Sequence, residues 1–203
     1  MALAQATLTT ALAPTFKSPD FTSENDPEPG LAAQLPSRDD SVSVEQHQSL
    51  CADNWKSAVD TWLAEMNPPH IVATGGEAGN TLKTALLSAF QTWYANGVWD
   101  CEPLKDAFVT MGDKITADGK ENHTSVPLPD WAWDGNTAPV GKPALCPLPS
   151  VSENSSTPFT DAADIIAAEI HKWLITGTSS YKKVTDPGKD TIRTFTWDGE
   201  EVV

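Results

Sequence analysis

Six prolines, Pro127, Pro129, Pro139, Pro143, Pro147 and Pro149, fall between residues 120 and 157, and no other feature of the chain limits its fold as severely. A proline has no backbone N–H and a fixed φ, so it is shut out of a long helix and of a central strand. The stretch is expected to be an extended, looping segment, and it divides the chain. On its N-terminal side apolar side chains recur at helical steps from Glu45 to Asn67: Cys51, Trp55, Ala58, Val59, Trp62, Leu63 and Met66, ended by Pro68-Pro69. A second helix is expected from Glu77 to Asn96, with Leu82, Leu86, Phe90 and Trp93 on its stripe and Asn96-Gly97 as its stop. A third runs from Pro103 to Ala117, with Leu104, Phe108, Met111 and Ile115 sharing one face. Their short connections predict antiparallel packing.

On the other side of the proline-rich stretch, "TPFTDAADIIAAEIHKWLITGT" reads as a fourth helix. Thr160 is its expected cap, Asp161 and Asp164 lie near the positive end of the helix dipole, and His171 and Lys172 lie near the negative end. Gly177 is the expected left-handed stop. "TIRTFTWDGEEVV" then alternates as one strand or hairpin arm, turning at Asp198-Gly199. The fold class expected is mainly α: a small four-helix core, long Pro-rich extended arms and a short C-terminal β element. The boundaries expected are an acidic N-terminal arm (1–44), a three-helix core (45–119), the Pro/Trp-rich extended segment (120–157), the final core helix (158–178) and a C-terminal tail (179–203).

Residues 1–44 hold six acidic side chains against Lys17 and Arg38, and no helical or strand period runs across them. Ordering a backbone costs about 1–2 kcal/mol per residue, whereas each large apolar side chain returns about 1.5–3 kcal/mol on burial. With so few apolar residues the segment is expected to order only against something else. Phe16, Phe21, Leu31 and Leu35 are its candidate contact residues.

The chemistry of several function classes is missing. "IVATGGEAGNTLKTALLSAF" (Ile71 to Phe90) resembles a phosphate-binding loop, but no lysine follows its last glycine, and Glu77 places a negative charge where a phosphate would sit. The loop is read as the turn that starts the second helix. Thirteen basic against 28 acidic residues give a formal net charge of −15, which argues against partnership with nucleic acid or an anionic membrane. The N-terminal sixteen residues lack the charged and apolar regions of a signal peptide. Cys51, Cys101 and Cys146 are neither a disulfide framework nor a zinc motif, and reduced thiols are expected. His47, His70, His123 and His171 are scattered, and nothing singles out Asp60, Glu65 or Asp106 as one of an acid–base pair. No catalytic, cofactor-binding or metal-ligating residue is assigned, and no cofactor is expected.

Of the eight tryptophans, Trp55, Trp62, Trp93 and Trp173 fall on helical stripes and are read as core. Trp131 and Trp133 lie instead in "PLPDWAWDGN", two residues apart between Asp130 and Asp134. They can fold back over the helices, anchor a neighbouring subunit, or stack on sugar rings.

The succession "WKSAVDTWL", Pro68-Pro69, "TLKTALLSAFQTWY" and "DAADIIAAEIHKWLITGT" resembles a loose group of small virion structural proteins of tailed bacteriophages, over about residues 50–178. The resemblance implies a non-enzymatic component of the tail, baseplate or neck. It would be made in the host cytoplasm, reside in the virion, and join other virion proteins in a symmetric multi-copy assembly. The group has no catalytic residues to carry over. The alternative is a secreted or surface module that binds carbohydrate or protein through Trp131 and Trp133; an acidic enzyme with a site formed only by tertiary contacts is a third.

Overall fold

A computed structural model describes residues 4–16, 43–63, 77–96, 102–117, 130–145, 157–184 and 191–202. Three of its helices lie where the apolar period places them: α2 (Val44–Leu63), α3 (Glu77–Asn96) and α4 (Glu102–Ala117). The start of α2 is fixed by a reciprocal capping box. Ser43 Oγ accepts the Gln46 N–H and Gln46 Oε1 accepts the Ser43 N–H, each at 3.2 Å, so two N–H groups without helical partners are satisfied together. Cys51, Ala52, Trp55, Ala58, Val59, Trp62 and Leu63 form the buried stripe of α2, and Leu104, Ala107, Phe108, Met111 and Ile115 that of α4.

The N-terminal arm departs from expectation. Its residues Gln5–Leu12 form a helix, α1, which continues as a 3-10 turn over Ala13–Phe16. Leu8 and Leu12, one helical turn apart, are fully buried in the common core. α1 packs on α2 and on the last helix, α5 (Pro158–Leu174). Gln5 Nε2 and Thr9 Oγ1 both donate to Asp164 Oδ1 at 3.0 Å. The physical reason is local: the balance against ordering holds for the arm taken whole, whereas eight residues with two leucines on one face need only a complementary surface. The expected four-helix core therefore holds five helices among the described residues, with the chain mainly helical as expected.

Backbone neighbours run α4–α3–α2–α1–α5, and bulky rings join α5 to the others. Trp62 of α2 lies 6.0 Å from the His171 ring. The Trp173 indole covers Gly112 of α4, where an added Cβ would stand 3.0 Å from its ring. α5 begins one turn earlier than expected, with Thr157 as the N-cap and Pro158 in the first turn, where a proline's missing N–H costs nothing.

Gly177 is not the left-handed stop. Positive φ among the described residues is confined to Asp130, Gly141 and Gly199. Gly177 is small because the Trp197 indole lies on it: a Cβ there would meet Trp197 Cδ2 and Cε2 at 2.7 Å. The expected C-terminal tail is most of a four-stranded antiparallel sheet of order β1-β2-β3-β4: β1 (Trp131–Thr137), β2 (Thr178–Lys183), β3 (Ile192–Thr196) and β4 (Glu201–Val202). β3 and β4 make a hairpin whose turn holds Asp198 and Gly199, the latter at φ 106°. β1 comes from the Pro/Trp-rich segment and lies at the edge, the position that proline chemistry leaves open to such a stretch.

The two faces of the sheet as a candidate interaction surface

Strand periodicity sorts the sheet into two unlike faces. Pairing sets Trp131 opposite Lys183, Trp133 opposite Tyr181, and Tyr181 opposite Arg193. A register shift between Trp133 and Gly135 leaves Asp134 as an extra residue, so Asn136 returns to the Trp133 side opposite Ser179. The inner face thus carries Trp131, Trp133, Asn136, Ser179, Tyr181, Arg193 and Phe195. Ser179, Tyr181 and Phe195 are 1%, 0% and 7% exposed. The rings of Tyr181 and Phe195 meet edge to face at 6.0 Å, and burial pushes the Tyr181 phenol above its ordinary pKa of 10.

Trp131 and Trp133, proposed from sequence as anchors, are brought together on this inner face and are half-buried. Each is engaged with the chain's own groups. The Trp133 indole N–H donates to Asn136 Oδ1 at 3.1 Å. The Arg193 guanidinium lies 5.7 Å from the Trp131 ring centre and 5.2 Å from that of Phe195. It is held there by two hydrogen bonds to the Glu201 carboxylate, at 2.6 and 2.5 Å. That pair raises the Arg193 pKa and lowers that of Glu201. Three polar atoms on this side, Asn136 Nδ2, Ser179 Oγ and Trp197 Nε1, are buried without a hydrogen-bond partner.

The loop that follows β1 locks the sheet to the helices. Trp173 Nε1 donates to the Gly141 carbonyl at 3.0 Å and the Val140 N–H to Thr176 Oγ1 at 2.8 Å. Lys142 pairs with Glu102 and Asp106 of α4 at 3.2 and 2.6 Å. The Glu102 pKa is lowered first by its hydrogen bond from Lys105, at 2.8 Å, and second by that from Lys142.

The outer face is different in kind. Across β2, β3 and β4 it presents Thr178, Ser180, Lys182, Ile192, Thr194, Thr196 and Val202, with Val184 just beyond β2. Val184, Ile192 and Val202 are 62%, 49% and 49% exposed. Lys182 of β2 is a charged side chain on it, and the Asp198 carboxylate reaches it from the β3–β4 turn by accepting from Thr196. Three of the hydroxyls on it are bonded within the chain: Ser180 to Thr194 at 2.9 Å, and Thr196 Oγ1 to Asp198 at 2.5 Å and to the Glu200 N–H at 3.0 Å. Sequence reasoning missed this face because "TSSYKK" shows a single large apolar residue, Tyr181.

The other candidates are not brought together. Phe16 closes the 3-10 turn, with its side chain outside the described residues. Phe21, Leu31, Leu35, Glu65, Cys101 and Cys146 lie wholly outside them, as does the glycine loop before α3. Asp60 pairs with Lys56 at 2.5 Å, on a different helix from Asp106. An open groove of 540 Å³ beside α3 and α4 is lined by Asn80, Thr81, Thr84, Ala85, Ser88 and Thr110, none of which titrates. Among the described residues no group of three His, Cys, Asp or Glu side chains could hold a metal, and no helix is long and apolar enough to cross a membrane. No family model, curated protein or solved structure matches the chain.

Proposed function

We propose that this chain is a non-enzymatic structural protein that joins neighbouring subunits, and that the assembly it serves is a tailed phage particle, in the tail, baseplate or neck. The observation that carries the joining role is the outer sheet face, where three aliphatic side chains stand exposed beside the hydroxyls of Ser180, Thr194 and Thr196, which are bonded within the chain. Docking there removes apolar surface from water, at about 25 cal/mol per Å², while Ser180, Thr194 and Thr196 keep the bonds they already make. The phage context is supported by the resemblance of residues 50–178 to small virion proteins. Among the described residues that line the groove beside α3 and α4 there is no carboxylate, imidazole, thiol or amine. Trp131 offers sugar stacking only the ring face that Arg193 leaves open.

The test is mass spectrometry of purified particles from the source of this gene, with stoichiometry from labelled standard peptides. A fixed copy number relative to the major tail proteins is the expected result. Its absence from intact particles, with abundance in the lysate, overturns the virion reading.

A further inference from the structure

We infer that the inner face of the sheet is the binding site of one buried water molecule, held by Asn136, Ser179 and Trp197 and tying β1, β2 and β3 together. The inference stands on the sheet itself and goes beyond the joining role above. Ser179 occupies the middle of the inner face. Its neighbours along β2 are Gly177 and Tyr181, its partner on β1 is Asn136, and its partner on β3 is Phe195. The β2–β3 register continues to Gly177 and Trp197, where the Trp197 N–H donates to the Gly177 carbonyl at 3.0 Å. A small side chain is thus ringed by large ones, yet Ser179 is only 1% exposed. Large groups around a small one leave a hollow that bulk solvent does not enter.

Strand pairing brings three polar atoms to that hollow. Asn136 and Ser179 are cross-strand partners on one face, a position that sets Cβ atoms about 4.5–5.5 Å apart. The Trp197 indole lies over Gly177, one inward position along β2 from Ser179, at a spacing of about 7 Å. Its Nε1 is bonded to Cε2, one of the two ring atoms nearest to where a Gly177 Cβ would stand. Asn136 Nδ2, Ser179 Oγ and Trp197 Nε1 are each buried with no hydrogen-bond partner among the described residues. The Asn136 amide is also fixed in its orientation. Its Oδ1 accepts from Trp133 Nε1 at 3.1 Å, and an indole N–H only donates, so Nδ2 is the end left for the hollow.

These groups select the ligand. Two N–H donors require an acceptor, and a hydroxyl either gives or takes a proton. One water accepts from Asn136 and Trp197 and donates to Ser179, which is the usual complement of three bonds for a buried water. Holding a single water in place costs less than leaving three buried polar groups unpaired. A chloride ion could also accept from them, but a buried ion needs a compensating charge. Gly177, Tyr181, Asn136 and Phe195 around Ser179 supply none, and the Arg193 guanidinium on this face is held by Glu201.

The experiment is NMR on the full chain labelled with ¹⁵N, reading the Trp197 indole N–H. The expected result is a cross-peak from that N–H to water, with the opposite signs in the laboratory and rotating frames that mark a long-bound water. The Trp173 N–H, which donates to the Gly141 carbonyl, is the comparison that should show none. In Ser179→Ala the cross-peak should persist, because both N–H donors remain, and the folding equilibrium constant should fall about fivefold in urea unfolding, as loss of a satisfied hydroxyl does. An unpartnered hydroxyl predicts the reverse, a variant at least as stable as the parent. The first reading is made on the parent chain and holds whether or not the variant folds. The inference is overturned by a parent with no water cross-peak at Trp197, by a cross-peak lost with the Ser179 hydroxyl, or by a variant that is not destabilised. A Trp197 N–H shift that saturates as chloride replaces gluconate at constant ionic strength overturns it in favour of an anion.

Discussion

Gly177→Ala isolates one packing contact. Gly177 has no positive φ, so alanine meets no backbone penalty there. It would even reduce the freedom of the unfolded chain, stabilising by about 0.4–1 kcal/mol. Against this stands the new Cβ, 2.7 Å from Trp197 Cδ2 and Cε2 and 3.0 Å from Cε3. The Trp197 indole is fully buried, and its backbone N–H donates to the Gly177 carbonyl at 3.0 Å, so neither partner moves aside freely. Overpacking of this kind costs about 1–3 kcal/mol, leaving a net loss of about 1–2 kcal/mol. Urea unfolding followed by tryptophan fluorescence should show a lower midpoint with an unchanged slope, and a melting temperature lower by about 2–8 °C. The discriminating step is a double-mutant cycle. In a Trp197→Leu background the ring is gone, and Gly177→Ala should be neutral or stabilising. An equal loss in both backgrounds, or a Gly177→Ala variant as stable as the parent, refutes the assignment of this glycine to the indole.

Four further outcomes are expected. Leu8→Ala should destabilise by about 2–5 kcal/mol, as a fully buried leucine does; a loss under 0.5 kcal/mol in urea unfolding would show that α1 is not part of the cooperative core. Burial pushes the Cys51 thiol up to about 12, so at pH 8 a disulfide reagent should leave it unlabelled in the native chain and label it in urea. The Glu201 carboxyl is held below its ordinary 4.5 by Arg193; the stabilisation is therefore present above pH 4.5 and lost as pH falls through the lower folded value. The melting-temperature gap between parent and Glu201→Gln should be small, because the pair is exposed, and should close in acid; a gap that widens in acid has the wrong sign. A Trp131→Ala, Arg193→Ala cycle should give a small favourable coupling from the cation–π contact, and strict additivity would remove it.

The parts of this fold that could be read in the chain are those whose signal is local and repeated. α2, α3 and α4 each show four or more apolar residues at helical spacing, and a buried stripe needs no knowledge of its partner to be recognised. The capping box of Ser43 and Gln46, which went unread, sets the start of α2 at Val44, one residue before the expected Glu45. α1 is harder because "QATLTTAL" offers two leucines in eight residues, below the window in which a period can be counted. What orders it is Asp164 and the surface of α5, more than 150 positions away. β2 fails for a related reason: Ser179 and Tyr181 alternate inward, but serine carries no apolar signal, and the partners that bury it are β1 and β3. Gly177 was read by the commonest use of a glycine after a helix. The Trp197 ring that requires it lies twenty residues on and is set by strand pairing.

The candidate site divides along the same line. Trp131 and Trp133 stood out because aromatic residues in a proline-rich stretch are conspicuous, and the strand does set them side by side on one face. Conspicuous residues, however, are those with the most to gain from burial. Strand alternation sent both indoles inward with Tyr181 and Phe195, where Arg193 and Asn136 occupy part of what they offer. The opposite face was left to threonines, Ser180, Lys182 and three aliphatic side chains, a composition that draws no notice in sequence. A surface of that kind suits reversible joining better than an aromatic cluster does. Its Ser180, Thr194 and Thr196 hydroxyls keep their bonds when covered, so little is lost on their burial, and its aliphatic groups are too few and too spread to drive aggregation while uncovered.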